Sequence, residues 1–183
     1  MSNKKKIVLA FSGGLDTSYC VPYLKEQYDA EIHTVLVDTG GFTEQQLADT
    51  EQHAYNLGSD AHQTLHQTEQ FYQQVIRYLI FGNVLKNDTY PLSVSSERVF
   101  QAINIAKYAQ NIGADAIAHG STGAGNDQVR FDLVFNVIAP DLDIITPVRD
   151  QQLTRQEEVQ FLQDHGFDFE WVESKYSINK GLW

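Results

Sequence analysis

Ile7-Val-Leu-Ala-Phe-Ser-Gly-Gly-Leu-Asp-Thr-Ser18 decides how the chain is read: an apolar run passes into two glycines and a cluster of hydroxyl and carboxylate side chains, with a helix start beyond them. Gly13 and Gly14 can take backbone angles closed to other residues and leave no Cβ between the chain and a ligand. Phosphate oxygens can then approach the amides directly. Ser12, Asp16, Thr17 and Ser18 all favour helix N-termini, and a helix starting near Asp16 directs unpaired N–H groups and the positive end of its dipole at the same spot. The loop is not GxxxxGK[ST], because no lysine follows the glycines, and it is not GxGxxG. An ordinary strand-to-helix turn uses much the same residues, so Ser-Gly-Gly alone does not separate a phosphate cradle from a turn.

Working outward, the pattern alternates strands with helices. Short apolar runs predict strands over 7–11, 31–37, 60–65, 115–119 and 144–146. Helices are expected over 16–27, from the Thr43/Gln46 capping box to near Gly58, from Thr68 to about Leu85 with a break at Gly82, over 127–137, and from the Thr154/Glu157 capping box to His165-Gly166. A further helix is expected with Ser96 as its cap and Val99, Ala102, Ile103 and Ala106 as its buried stripe. The expected fold class is α/β, a doubly wound, Rossmann-like parallel five-stranded sheet of order 3-2-1-4-5 with helices on both faces. In that order ligands bind beyond the carboxyl ends of strands one and four, where the order reverses. Ser12 follows the first of these strands and Gly120 the fourth, so two Gly-rich loops are expected to face each other across the crevice. The second, Gly120-Ser-Thr-Gly-Ala-Gly-Asn-Asp127, carries three glycines and four polar side chains in eight positions. Its backbone can wrap a ligand, and the same residues also make a flexible loop capped by Asn126 or Asp127. Arg130 lies one helical turn beyond Asn126, and its planar fork suits a carboxylate, or an ion pair with Asp132 or Asp127.

The longer string Ser12-Gly-Gly-Leu-Asp-Thr-Ser18 resembles the signature of the N-type ATP pyrophosphatases, which split ATP between its α and β phosphates. His119-Gly-Ser-Thr-Gly-Ala-Gly-Asn-Asp-Gln-Val-Arg-Phe131, the segment from Tyr90-Pro-Leu through Ser95 and Arg98, and Tyr176-Ser-Ile resemble argininosuccinate synthase. The likeness runs the length of the chain and covers the N-terminal, nucleotide-binding part of that family. It implies ATP-dependent ligation of citrulline and aspartate with release of AMP and pyrophosphate. It also implies a nucleotide domain over 1–170, with 171–183 opening a linker to a synthetase domain, cytoplasmic location, and a homotetramer for the full-length family. By resemblance, ATP is held by Ala10, Phe11, Ser12, Gly13, Gly14, Leu15, Asp16, Thr17, Ser18, Val37, Asp38 and Gly120. Citrulline falls to Tyr90, Ser95, Asn126, Arg130 and Ser177, and aspartate to Thr122, Asn126 and Asp127. No side chain is assigned as a general acid or base. Ala124 stands where many members have lysine, which removes one phosphate contact. Glu97 stands where an apolar residue is more common, beside Arg98, with which it is placed to pair.

A chain of 183 residues makes one domain with a real core. Its net charge of −11 argues against a nucleic-acid partner, which calls for a basic face. The same charge opposes ATP, and a helix N-terminus supplies only about half a positive charge, so Mg²⁺ is expected to arrive with the phosphates rather than on a protein site. Lys4, Lys5 and Lys6 are either a phosphate-assisting cluster or a solvated tail. Cys20 is the single cysteine, which excludes an intrachain disulfide and a cysteine pair for zinc. No apolar stretch approaches the roughly 20 residues of a membrane span. The six histidines make no metal-ligand motif, and His119 reads as structural.

Overall fold

Alternation along the first apolar run places Ile7, Leu9 and Phe11 on one face and Val8 and Ala10 on the other, and both faces are buried. In a computed structural model describing residues 4–169, 171 and 181, this run is β1 (Lys6–Ala10). It is followed by α1 (Leu15–Tyr28), β2 (Glu31–Asp38), α2 (Glu44–Asn56) and β3 (Ala61–His66). Next come α3 (Thr68–Phe71), a π-turn (Tyr72–Ile76), α4 (Arg77–Phe81), and the hairpin β4 (Leu85–Lys86) and β5 (Tyr90–Pro91). The chain continues with α5 (Ser93–Asn111), β6 (Ala116–His119), α6 (Asp127–Ile138), β7 (Asp143–Ile145), α7 (Pro147–Asp150) and α8 (Arg155–Asp164). The main sheet is parallel, in the order β3-β2-β1-β6-β7. With the hairpin set aside, that is the expected 3-2-1-4-5.

Each face of the sheet carries its own core. Ile7, Leu9 and Phe11 pack with Leu15, Cys20 and Leu24 of α1, Ala54 of α2 and Leu162 of α8. Val8 and Ala10 pack with Ala102, Ile105 and Ala106 of α5 and Phe131 and Phe135 of α6. Burial outweighs local propensity in α1, which holds Pro22 in its interior. A proline there costs about 3 kcal/mol, whereas each large side chain among Leu15, Tyr19, Val21 and Leu24 gains roughly 1.5–3 kcal/mol on burial. Both capping boxes form: Thr43 Oγ1 accepts from Gln46 N at 3.2 Å, and Thr154 N donates to Glu157 Oε2 at 2.8 Å.

Three expectations need correction. The helix from Thr68 contains a π-turn and stops at Phe81, with Gly82 as its C-cap and Asn83 left-handed at φ 44°. The residues beyond form the hairpin, whose turn is made by Asn87 and Asp88 at φ 54° and 57°. Two consecutive positive φ values on Asn and Asp are a hairpin-turn signal, and it was present in the sequence. Secondly, α5 begins three residues before Ser96, because Ser96 N already bonds to Leu92 O at 2.9 Å and its hydroxyl donates to Ser93 O. Its buried stripe runs through Ala102, Ile105, Ala106 and Ala109, leaving Val99 exposed. Lastly, the three N-terminal lysines stand at the amino end of β1, away from the crevice. Lys4 pairs with Asp29, Lys5 with Asp143, and Lys6 Nζ donates to Ile112 O.

Candidate functional site

Because β2 and β6 flank β1 on opposite sides, the chain leaves β1 and β6 in diverging directions and opens a crevice at their carboxyl ends. A cleft of about 660 Å³ lies there. The Phe11–Gly14 loop is closed by hydroxyls: Thr17 Oγ1 donates to Gly14 O at 3.1 Å, Ser12 N donates to Thr17 Oγ1 at 3.4 Å, and Gly14 N donates to Ser12 Oγ at 3.4 Å. Gly13 sits at φ 74°, in the left-handed region, which is the conformational reason for a glycine. Gly14 is the N-cap of α1 and carries no side chain to cap it, so no N-cap side chain closes off the first turn where it meets the cleft.

The opposing loop is pinned from behind. Ser121 N donates to His119 Nδ1 at 3.2 Å, which leaves Nε2 as the protonated nitrogen, donating to Asp132 Oδ1 at 2.9 Å. Arg149 Nη1 closes the row on Asp132 Oδ2 at 2.6 Å. Burial holds the His119 pKa below the usual imidazole value despite the neighbouring carboxylate, so the ring is neutral. For Asp132, burial alone would raise the pKa, and the bonds from His119 and Arg149 overcome it to hold the carboxyl low. The row sets the direction in which the chain leaves β6. Asp132→Asn is expected to cost about 1–2 kcal/mol in urea unfolding at pH 7, whereas Asp150→Asn, 3.7 Å from Arg149 and more exposed, changes stability by less than about 0.5 kcal/mol.

Gly120 is a contact point between the loops. A Cβ there would lie 3.0 Å from Asp16 C and 3.1 Å from Thr17 N, so the backbones of α1 and the second loop approach closer than any side chain allows.

Of the residues expected at the nucleotide, Ala10, Phe11, Ser12, Gly14, Leu15, Asp16, Thr17, Val37 and Gly120 line the cleft, with Thr122 and Asp127 opposite. Gly13 faces a second cleft of about 540 Å³ between the loop, α2 and Arg155. Ser18 is fully buried and bonds His53 Nε2 at 2.8 Å, and Asp38 Oδ1 accepts from Gly40 N at 2.9 Å in a turn; neither lines either cleft. Tyr90 is exposed on the hairpin, and Ser95 donates to Leu92 O inside the first turn of α5. Asn126 is the exposed N-cap of α6. Arg130 pairs with Asp127, and Arg98 Nε stands 3.4 Å from the other oxygen of that carboxylate. Ser177 lies outside the described residues. Glu97 does not pair with Arg98; it is buried against Thr39. Sequence reasoning missed Gln101, Gln128 and Phe131 in the cleft wall, and also the Asp132 and Arg149 row. Phe131 was findable as the apolar residue one turn beyond Asp127.

No group of three or more His, Cys, Asp or Glu side chains is placed to hold a metal among the described residues. Nor is any helix among them long and apolar enough to cross a membrane.

Comparison with known proteins matches residues 6–168 to the Arginosuccinate synthase N-terminal HUP domain. The argininosuccinate synthase of Pyrobaculum aerophilum is 42% identical over 97% of the chain, and that of Saccharolobus solfataricus is 42% identical over 97%. The Prochlorococcus marinus enzyme is 41% identical over 100% of the chain. The chain spans 44–45% of the length of these relatives. With the strand order, the two facing loops and an end-to-end match in agreement, the chain belongs to the argininosuccinate synthase family, of which it carries the N-terminal HUP domain.

Proposed function

We propose that the chain binds ATP and works in the ATP-dependent joining of citrulline to aspartate, with release of AMP and pyrophosphate. The observation that carries this reading is the convergence of the Ser12–Thr17 loop and the Gly120–Asp127 loop, more than a hundred residues apart in sequence, on one cleft at the switch point of the sheet. Amino-acid ligation sets a definite problem. The ureido carbon of citrulline is a poor electrophile with a poor leaving group, so its oxygen first attacks the α-phosphate and displaces pyrophosphate. The aspartate amine then attacks the carbon and AMP departs. What such a reaction asks of a protein is positioning and charge stabilisation.

The amides of Gly14 and the first turn of α1 hold the phosphates, with the Ser12 and Thr17 hydroxyls closing the cradle. Val37 and the β1 end form the apolar wall for the nucleoside. Thr122, Asn126 and Asp127 orient aspartate, and Arg130 serves citrulline from the same helix start; Asp127 already carries two guanidinium partners and so reaches an ammonium only as part of that cluster. The donor set fits Mg²⁺ delivered on the phosphates, since Mg²⁺ keeps waters and phosphate oxygens and is seldom caged by protein alone. Cytoplasmic location, and homotetrameric assembly for the full-length family, belong to the same proposal.

The rival, a non-catalytic adenine-nucleotide sensor on this fold, has no use for the Arg98 guanidinium and the Ser121 and Thr122 hydroxyls that line the cleft opposite the first loop. Calorimetry with ATP, with and without Mg²⁺, is expected to show one site per chain, tighter with the cation. Absence of nucleotide binding, or binding indifferent to both loops in Ser12→Ala and Thr122→Ala variants, would refute the assignment.

A further inference from the structure

Three carboxylates line the cleft, on Asp16, Glu97 and Asp127. Asp16 is hydrogen-bonded to Glu158, and Asp127 is held by Arg98 and Arg130. Glu97 differs from both. It is only 1% exposed, its Oε1 accepts from the fully buried Thr39 hydroxyl and from Gln101 Nε2 at 3.3 Å, and its Oε2 has no hydrogen-bond partner among the described residues. The cluster is built to hold it still: Gln101 Oε1 accepts from Arg98 Nη1 at 2.7 Å while its amide nitrogen donates to Glu97. Gly181, bridged to Gly40, lies against the carboxylate so closely that a Cβ at 181 would collide with it. An acceptor buried without a partner is expensive, and such groups are rare in native chains.

We propose that Glu97 is a recognition residue for an α-amino-acid substrate, its Oε2 accepting from the substrate ammonium. The adjoining charges have the complementary pattern. Arg98 and Arg130 share the single negative charge of Asp127, which leaves one positive charge in surplus for a substrate carboxylate. Glu97, the neighbour of Arg98 in α5, supplies the negative counterpart. A zwitterion satisfies both at once, and the charge-assisted bond to its ammonium gives the orphaned oxygen its partner. The assignment rests on the ligase reading above and adds to it a contact made by a residue that stands where an apolar one is usual.

Calorimetry of the chain saturated with a non-hydrolysable ATP analogue, titrated separately with citrulline and with aspartate, tests it. Glu97→Gln, which keeps the shape and the Thr39 contact, and Glu97→Ala are both expected to weaken one of the two amino acids by about tenfold or more, since a charged hydrogen bond is lost. ATP affinity is expected to stay within about twofold of the parent. The amino acid that loses affinity is the one Glu97 serves. Equal affinities in parent and variants overturn the proposal, as does a parent that binds neither amino acid; in the latter case intact ATP binding leaves the nucleotide reading standing. If both variants lose ATP instead, Glu97 belongs to the nucleotide and the proposal falls.

Discussion

Gly120→Ala is expected to weaken ATP binding by about tenfold or more and to lower folding stability by about 1–3 kcal/mol, the cost of forcing a methyl into a closed contact. The atoms it meets, Asp16 C and O and Thr17 N at 3.0–3.1 Å, are backbone of the first turn of α1, which cannot rotate aside as a side chain can. Relief has to come from parting the two loops, which misplaces the amides that hold the phosphates against the residues that hold the amino acids. A displacement of that kind acts on binding geometry more than on the core. Gly113→Ala separates the two effects. Gly113 is left-handed at φ 64° with nothing within 4 Å of the added methyl, so alanine costs about 1 kcal/mol of backbone strain there and leaves ATP affinity unchanged. Urea unfolding and calorimetry on both variants make the comparison. Parent-like ATP affinity in Gly120→Ala would show that the loop contact does not set the site.

The sheet was legible because its signals are local and repeated. Apolar runs at 7–11 and 31–37 are bounded by glycines and polar turns, and the two Thr-x-x-Gln/Glu boxes mark helix starts whose geometry appears as expected. Alternation implied a doubly wound parallel sheet; the order 3-2-1-4-5, one of several that fit alternation, is the one observed once the hairpin is set aside. What escaped depends on distance in sequence. His119, Asp132 and Arg149 form one row through three elements, and nothing near His119 in sequence announces Arg149. Glu97 was expected beside Arg98 because adjacent opposite charges invite a pair. On a helix, however, successive residues point about 100° apart, so Glu97 turns to Thr39 while Arg98 turns to Asp127. The helix from Thr68 was overextended because Leu79 and Leu85 keep an apolar rhythm through Gly82, while the turn residues Asn87 and Asp88 lay just past the window. Of the candidate site, the residues of the glycine loops were placed by backbone chemistry and do meet at the cleft. Tyr90, Ser95 and Asn126, carried by resemblance, are not among the residues that line it.

Glu158→Gln is expected to make the protein more stable than the parent at pH 8 and nearly equal to it at pH 4.5. Glu158 is 2% exposed on α8, and burial together with the neighbouring Asp16 carboxylate pushes its pKa up to about 8. Asp16, desolvated in turn, is also raised. The pair therefore holds a proton at neutral pH, with one carboxyl donating to the other directly beneath the first turn of α1. A raised acid binds its proton more tightly folded than unfolded. Its contribution is complete below the unfolded value of 4.5 and is lost as pH rises to about 8. Glutamine keeps a donor toward Asp16 and cannot ionise, so its advantage grows across that interval, with an upper bound of about 5 kcal/mol at about 1.4 kcal/mol per pKa unit. Three partly or fully desolvated histidines work in the opposite sense. His53, His62 and His119 all have lowered pKa values through burial, so both proteins lose stability as pH falls below 6.5, where the unfolded imidazoles take up protons that the folded ones refuse. Parent stability should thus peak between the two limbs, and the variant should lack the alkaline limb. The same charge bears on the nucleotide. Ionised Glu158 adds a second negative charge under the phosphate cradle, and the affinity of the parent for Mg-ATP is expected to decline above pH 8 while that of Glu158→Gln holds level. Chemical denaturation from pH 4.5 to 9, with ATP titrations at pH 7 and 9, reads both effects, and coincident curves for the two proteins would show that the carboxyl pair holds no proton.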